Sequence, residues 1–384
     1  MNILILGASS DLYGGSKILS IVAKILADGN HRPIVVISET GELVDELNKL
    51  GIEVRIIRLG ILRRKYLSVS GILNRVKVTG KAWQLLGDLI DDEKIDVVYS
   101  NTTGVLIGAF LAKKKKIKHI WHIHEIITKP KIFTKVLSFL VGKYSDNIIV
   151  VSDAVKNHWK EHIHRKTITR IYNGIDTSVY GNSEDSLRKE LNLSQTDTLI
   201  GMIGRVNHWK GQDYFINIAK LILQKQPNTK FIIAGDAYPG NDHLVDKLVN
   251  RIENENLKNS VYYLGYRTDI PNILNSLDIF VLPSTSPDPF PTVILEAMAS
   301  SKPVIATKHG GACEMIADEV TGILIPFDDA KISAVRILDL LSDKTKIEEM
   351  GKLAKIRIDT LFSLDSFKES ILNLFKATFE LKHK

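Results

Sequence analysis

A chain of 384 residues, 44% hydrophobic and 25% charged, is too long for one ordinary core and too apolar to be disordered. Its single cysteine, Cys313, excludes an intrachain disulfide and suits a reducing compartment; no Cys/His cluster has zinc spacing. The net charge of +7 is uneven: residues 1–180 carry 27 Lys and Arg against 17 Asp and Glu, and residues 181–384 carry 24 against 27.

No apolar run approaches the ~18 residues of a spanning helix. Basic residues are not interleaved with aromatic ones, so nucleic acid is not an expected partner.

Asn2-Ile3-Leu4-Ile5-Leu6 opens the chain as a first core strand and not as a secretory leader. A glycine loop, Gly7 to Gly15, follows it. Gly7-Ala8-Ser9-Ser10 with Gly14 is a weak match to a nicotinamide-binding turn, and Glu39 stands near the place of its acidic partner. The motif wants Gly-x-Gly-x-x-Gly or a close variant, and Tyr13 and Lys17, which have the spacing of a dehydrogenase Tyr-x3-Lys pair, sit in the glycine loop and not on a later helix.

Further strands are expected near 33–38, 52–57, 96–100, 117–123, 147–151 and 168–172, with helical patterns between them. Arg63-Arg64-Lys65 and Lys113-Lys114-Lys115-Lys116 concentrate the basic excess. They are either a solvated face or a surface for an anionic membrane or acceptor. The amphipathic stretch from Lys131 to Leu140 either joins that face or packs on its own sheet. His122 and His124 close the 117–123 strand on one face. His124, followed by Glu125, is the better candidate; a buried structural role is the alternative.

Tyr172-Asn173-Gly174-Ile175-Asp176 is a turn, and a polar segment runs from there to Thr198. Strands follow near 198–204, 229–235, 260–264, 278–282, 303–307 and 323–325. Many are continuous apolar runs, such as Phe280-Val281-Leu282, as in strands buried on both faces. Alternation with helices implies βαβ units and parallel sheets, whose ligands bind beyond the strand C-termini.

Two stretches carry chemistry. Gly204-Arg205-Val206-Asn207-His208-Trp209-Lys210-Gly211 follows a strand and sets a guanidinium and an ammonium on one loop. They are either solvated charges or a clamp on one diphosphate. Ser286-Pro287-Asp288-Pro289-Phe290-Pro291-Thr292-Val293-Ile294-Leu295-Glu296 leads a rigid loop into a helix start, with Pro291 expected at the first helical position. Amides of Thr292 and Val293 at that start suit an anion. The carboxylates Asp288 and Glu296 suit neutral hydroxyls attached to it. A diphosphate between two polyhydroxylated rings is a sugar nucleotide.

These residues together resemble the retaining glycosyltransferases of family 4, with the GT-B fold. The resemblance spans nearly the whole chain: Gly14-Gly15, His124-Glu125, the Asn-Gly-Ile-Asp turn, Gly-Arg-x5-Lys-Gly, the acidic-x7-Glu motif, Pro303 to Gly311 and Thr321 to Leu324. Two positions differ from the usual pattern. Asp288 stands where Glu is common, and Pro291 where Gly is common. Both bear on how the donor sugar is held and leave its identity open.

The resemblance implies two Rossmann-like doubly wound domains facing an interdomain cleft. The first is residues 1–176 with a returning helix at about 363–384, and the second is 177–362. It implies transfer of a sugar from a UDP- or GDP-sugar to an acceptor hydroxyl with retention, without metal or other cofactor. Arg205, Lys210, His124 and Asp288 would be catalytic. Gly14, Gly15, Gly204, Arg205, Lys210, Tyr266, Arg267, Asp288, Phe290, Thr292, Val293 and Glu296 would bind the donor. Tyr266 or Arg267 would flank the base, with the 235–240 loop as another wall; Phe290 is also a plausible core anchor. Expected partners are the nucleotide sugar and a glycan or lipid-linked acceptor, in the cytoplasm with a peripheral contact to the inner face of an anionic membrane. An epimerase or hydrolase on the same frame, or a non-catalytic sugar-nucleotide-binding subunit, are the alternatives.

Overall fold

Among the residues described by a computed structural model, 1–61, 68–164, 166–181, 186–194 and 196–380, thirteen parallel strands form two sheets. Arg63-Arg64-Lys65 and the chain beyond residue 380 lie outside the described residues.

The first sheet draws on β1 (Asn2–Leu6), β2 (Arg32–Ile37), β3 (Glu53–Ile56), β4 (Val97–Ser100), β5 (Lys118–Ile123), β6 (Asn147–Val150) and β7 (Ile168–Arg170). Between them run α1 (Gly15–Asp28), α2 (Glu42–Lys49), α3 (Val69–Asp92), α4 (Ile107–Lys115), α5 (Lys131–Tyr144) and α6 (Asp153–Lys160). The strand order is β3-β2-β1-β4-β5-β6-β7. The chain therefore reverses its winding at β1, and loops after β1 and β4 part there, leaving the crevice in which such sheets hold ligands. Ile3 to Leu6, Ile34 to Ile37 and Ile148 to Val151 are buried, as continuous apolar runs predict for strands covered on both faces.

After α7 (Leu187–Glu190), the second sheet is built from β8 (Thr198–Ile203), β9 (Thr229–Ala234), β10 (Val261–Gly265), β11 (Ile279–Leu282), β12 (Val304–Thr307) and β13 (Gly322–Ile325). Helices α8 (Gln212–Leu223), α9 (His243–Asn254), α10 (Ile270–Ser276), α11 (Thr292–Ala299), α12 (Ala312–Met315), α13 (Ala330–Leu341) and α14 (Lys344–Leu361) alternate with them. Its order, β10-β9-β8-β11-β12-β13, switches between β8 and β11.

The last helix, α15 (Leu364–Glu380), belongs with the first sheet. Phe367, Ile371 and Phe375 form its buried stripe, and Phe375 stacks on Tyr99 at 6.0 Å between ring centroids. Asn147 Nδ2 donates to Thr378 Oγ1 at 2.7 Å. The chain divides into two compact units, Met1–Asn173 with the segment from Asp365, and Gly174–Leu364.

Candidate active site

In the second unit, the loops after β8 and β11 are bound to one another. Thr285 N donates to Trp209 O at 2.8 Å. Asn207 Oδ1 accepts from Trp209 N at 3.0 Å and Lys210 N at 2.8 Å, a side-chain turn that fixes the loop. Lys210 Nζ lies 4.7 Å from the Trp209 ring centroid and donates to Asp288 Oδ2 at 2.5 Å. The two side chains are 14% and 10% exposed. Buried charges of this kind are kept when paired.

Asp288 is fixed from the other side by the loop after β12. Gly311 N donates to Asp288 O at 2.8 Å, and Gly310 has φ 60. A Cβ at Gly310 would lie 2.3 Å from Asp288 O, so glycine is needed both for the left-handed backbone and for the close approach. Next to it, His309 Nε2 donates to Ser284 O at 2.8 Å. Burial holds its imidazole below the usual histidine range. His309 Nδ1 and Ser284 Oγ are buried without a hydrogen-bond partner among the described residues.

Arg205 places its guanidinium 3.9 Å from the Tyr238 ring centroid, and its carbonyl accepts from Gln212 Nε2 at 3.0 Å. Tyr238 follows β9, so the 235–240 loop is the wall beside Arg205. Helix α11 starts after the 286–290 loop, and no side chain caps it. Its first amides have no intrahelical acceptor. Glu296, one turn in, is buried at 6% exposure. Phe290 is buried against Phe362, 5.7 Å between centroids, and acts as a core anchor for the loop.

One expectation needs correction, and a second residue has partners that the sequence did not show. Pro291 is the N-cap of α11 and not its first helical residue: its ψ of 111 is extended, and Thr292 opens the helix. Arg267 is committed elsewhere, its fork bonded to Glu190 at 2.7 Å and Asp269 at 2.7 Å. It holds the Asp269 carboxyl far below its usual range. A guanidinium so occupied is a poor partner for a base. Tyr266 beside it is exposed, and both follow β10, two strands from β8.

In the first unit, adjacent strands β1, β4 and β5 bring three loops together. Gly14, at φ 44, caps α1, and Gly15 lies against the His124 ring: a Cβ there would be 3.7 Å from His124 Cγ. Asn101, which sequence reasoning missed, stands between them. Its Nδ2 donates to Gly15 O at 2.8 Å, and its Oδ1 is 3.2 Å from His124 Nε2. Burial lowers His124 to a pKa of about 3, so the ring is neutral.

His122, its neighbour at 4.0 Å between ring centroids, is fully buried and bonded to Tyr99 Oη. Glu125 is turned inward, accepting from Thr102 Oγ1, from Thr103 N at 3.4 Å and from His124 N at 3.2 Å. Burial raises its carboxyl above the usual range. These bonds fix the chain around His124. Among the described residues no group of three His, Cys, Asp or Glu converges as a metal site.

The second unit therefore gathers two cations, an acidic pair and an uncapped helix start, and the first a neutral imidazole beside a glycine turn. Comparison with known proteins gives the family. Residues 183–357 match the family described as glycosyl transferases group 1, and residues 25–179 match glycosyltransferase family 4. A UDP-Gal:alpha-D-GlcNAc-diphosphoundecaprenol alpha-1,3-galactosyltransferase of Escherichia coli is 30% identical over 302 residues, covering 75% of this chain and 76% of that one. The crystal structure of Anabaena Alr3699/HepE in complex with UDP and glucose superposes with a TM-score of 0.85 at 27% identity, over 97% of this chain and 99% of that one. WaaG, a glycosyltransferase involved in lipopolysaccharide biosynthesis, superposes at 0.70 and 16% identity over 97% and 98%, a likeness of fold alone.

Proposed function

The chain belongs to the family 4 glycosyltransferases with the GT-B fold and transfers a sugar from a nucleotide sugar in glycan or glycolipid synthesis, and from that premise we propose that it moves a hexose from a UDP-sugar to a lipid-linked glycan with retention and without metal. The observation that carries this is the Lys210–Asp288 pair at the β8/β11 switch, with Arg205 on the same loop and the start of α11 on the next.

In the unliganded protein Asp288 neutralises Lys210. An arriving diphosphate competes for the ammonium, and Asp288 is then released to accept from a hydroxyl of the transferred sugar. Glu296 takes the ribose hydroxyls. Arg205, Lys210 and the amides of Thr292 and Val293 are aimed where negative charge develops as the diphosphate departs. Breaking the C1–O bond leaves the electron pair on the phosphate oxygen. That oxygen takes the acceptor's proton as the acceptor oxygen bonds C1 from the same face. His124, neutral, meets a hydroxyl of the sugar or acceptor, and Gly14 and Gly15 admit backbone close to the ligand. Tyr238 is a better candidate than Arg267 for the wall next to Arg205.

UDP as the carrier and a lipid-linked acceptor are supported by the galactosyltransferase and HepE likenesses. A peripheral membrane contact is supported by α5, where Ile132, Val136 and Phe139 are exposed on one face among Lys131, Lys135 and Lys143. No helix of the described residues is long and apolar enough to cross a membrane. A thermal-shift panel of UDP- and GDP-sugars tests the donor, since a ligand of the native state raises the midpoint. A UDP-sugar that shifts the midpoint and yields a glycosylated lipid-linked acceptor is the expected result. No response to any member would sink the proposal.

A further inference from the structure

We infer that Asn101 is a positioning residue that fixes the tautomer of His124, so that Nδ1 is presented as a hydrogen-bond acceptor beside the Gly14–Gly15 turn. The catalytic use of that acceptor rests on the role proposed above for His124.

The argument follows from which atoms can donate. Gly15 O is a carbonyl and only accepts, so the Asn101 atom 2.8 Å from it is the amide nitrogen. The other end of the amide, 3.2 Å from His124 Nε2, is then Oδ1, which also only accepts. His124 Nε2 must carry the hydrogen. A neutral imidazole has one N–H, so Nδ1 is bare. Asn101 cannot flip without setting two hydrogens against each other on one side and two oxygens on the other.

The amide is itself held. Asn101 is 6% exposed, and its backbone N donates to Leu6 O at 3.1 Å, tying the end of β4 to β1. One side chain thus joins the glycine turn after β1 to the histidine after β5. A bare Nδ1 receives a hydrogen from a sugar or acceptor hydroxyl and steers the lone pair of that oxygen away from the ring. The opposite tautomer would present a donor and orient the same hydroxyl wrongly, and a histidine held in the wrong tautomer loses turnover more than binding.

Long-range 1H–15N spectra of the full-length protein read the tautomer directly, with His124→Gln identifying its signals. The expected wild-type pattern is a bare Nδ1 and a protonated Nε2. In Asn101→Ala the ring should populate both tautomers, and kcat with the best UDP-sugar of the thermal-shift panel should fall roughly tenfold or more while the donor KM stays within about twofold. Asn101→Asp keeps an acceptor for Nε2–H but sets its second oxygen against Gly15 O, so it should retain the wild-type tautomer while loosening the glycine turn. The thermal midpoint and circular dichroism of Asn101→Ala, read beside the wild type, guard against simple unfolding of that variant. A protonated Nδ1 in the wild type, or an unchanged tautomer in Asn101→Ala, overturns the inference. If the tautomer shifts as expected while Asn101→Ala and His124→Gln both turn over normally, the assignment of Asn101 stands and the catalytic use of His124 falls.

Discussion

Lys210 and Asp288 meet at 2.5 Å across 78 residues of sequence, one from the loop after β8 and the other from the loop after β11. The pair is mostly shielded from solvent, so each side chain is the other's principal counter-charge. A ligand that engages Lys210 must bring negative charge of its own, and a ligand that engages Asp288 must bring hydrogens. A sugar joined to a diphosphate satisfies both at once.

Lys210→Ala should lower transfer about a hundredfold, the scale of losing one preorganised charge contact to a departing anion. The variant also leaves Asp288 without its cation, so the melting midpoint should fall. Adding Asp288→Ala should recover much of the midpoint, because no uncompensated charge then remains, but none of the turnover. Initial rates and thermal melts of the two variants check this. Near-normal turnover in Lys210→Ala would remove the ammonium from the mechanism.

Two cations and a helix start do, in the proposed reaction, what a divalent ion does in other transferases. Transfer should therefore proceed at its full rate in excess chelator and gain nothing from added manganese. The measurement is product formed per minute with and without EDTA after exhaustive dialysis. A rate that collapses with chelator and returns with metal would contradict the proposal.

The frame of this protein was legible because strand and helix patterns alternate cleanly. Runs such as Phe280-Val281-Leu282 announce strands buried on both faces, and glycine and proline mark the loops after them. The placement of Arg205, Lys210 and Asp288 in the loops after β8 and β11 was legible for a related reason: each follows an apolar run that reads as a strand. What stayed hidden depends on which strand lies beside which. Asn101 is an unremarkable Asn-Thr-Thr turn until β4 falls between β1 and β5 and puts it against Gly15 and His124. The orphaned Nδ1 of His309 is equally silent in sequence, since it needs β12 beside β11. The pairing of Arg267 with Glu190 and Asp269 was hidden too, because composition cannot tell an available guanidinium from one already paired.

The histidines of the first unit make a prediction about acid. Burial lowers His119 and His124 to about 3, and His122 well below its usual value. Unfolded, each titrates near 6.5. Between those values the unfolded chain holds protons that the folded one does not, so stability is full above about pH 6.5 and is lost as pH falls toward 3, by up to roughly 1.4 kcal/mol per pH unit for each histidine. Glu125, raised by burial, acts the other way and offsets part of the loss just above the ordinary carboxylate range. Trp121 and Trp159 are buried in this unit and report its melting by fluorescence in a Trp209→Phe background. His119→Gln should flatten the decline; an unchanged pH profile in that variant would count against the assignment of the acid sensitivity to His119.

Helix α5 buries Thr134, Leu137, Ser138 and Val141 and leaves Ile132, Val136 and Phe139 outside at 69%, 49% and 62% exposure. The outer three are spaced i, i+4, i+7, so they form one stripe. Lys143 lies 5.3 Å from the Phe139 ring centroid, and Phe110 of α4 meets Tyr144 edge-on at 4.8 Å. The two basic helices are therefore neighbours. Within the α4 run, Lys115 is paired with Asp91 and Lys114 lies over Trp83, which leaves Lys113 and Lys116 the more available charges. An apolar stripe among cations fits an anionic lipid surface, with about 1 kcal/mol per lysine near the headgroups. Sedimentation with phosphatidylglycerol vesicles should show binding that weakens about fivefold for each of Lys131, Lys135, Lys113 or Lys116 changed to Gln, and that fades with salt. Ile132→Ser with Phe139→Ser should weaken it at all salt concentrations, because insertion is lost and attraction is not. Partitioning that none of these changes alters would leave both helices as ordinary solvated surface.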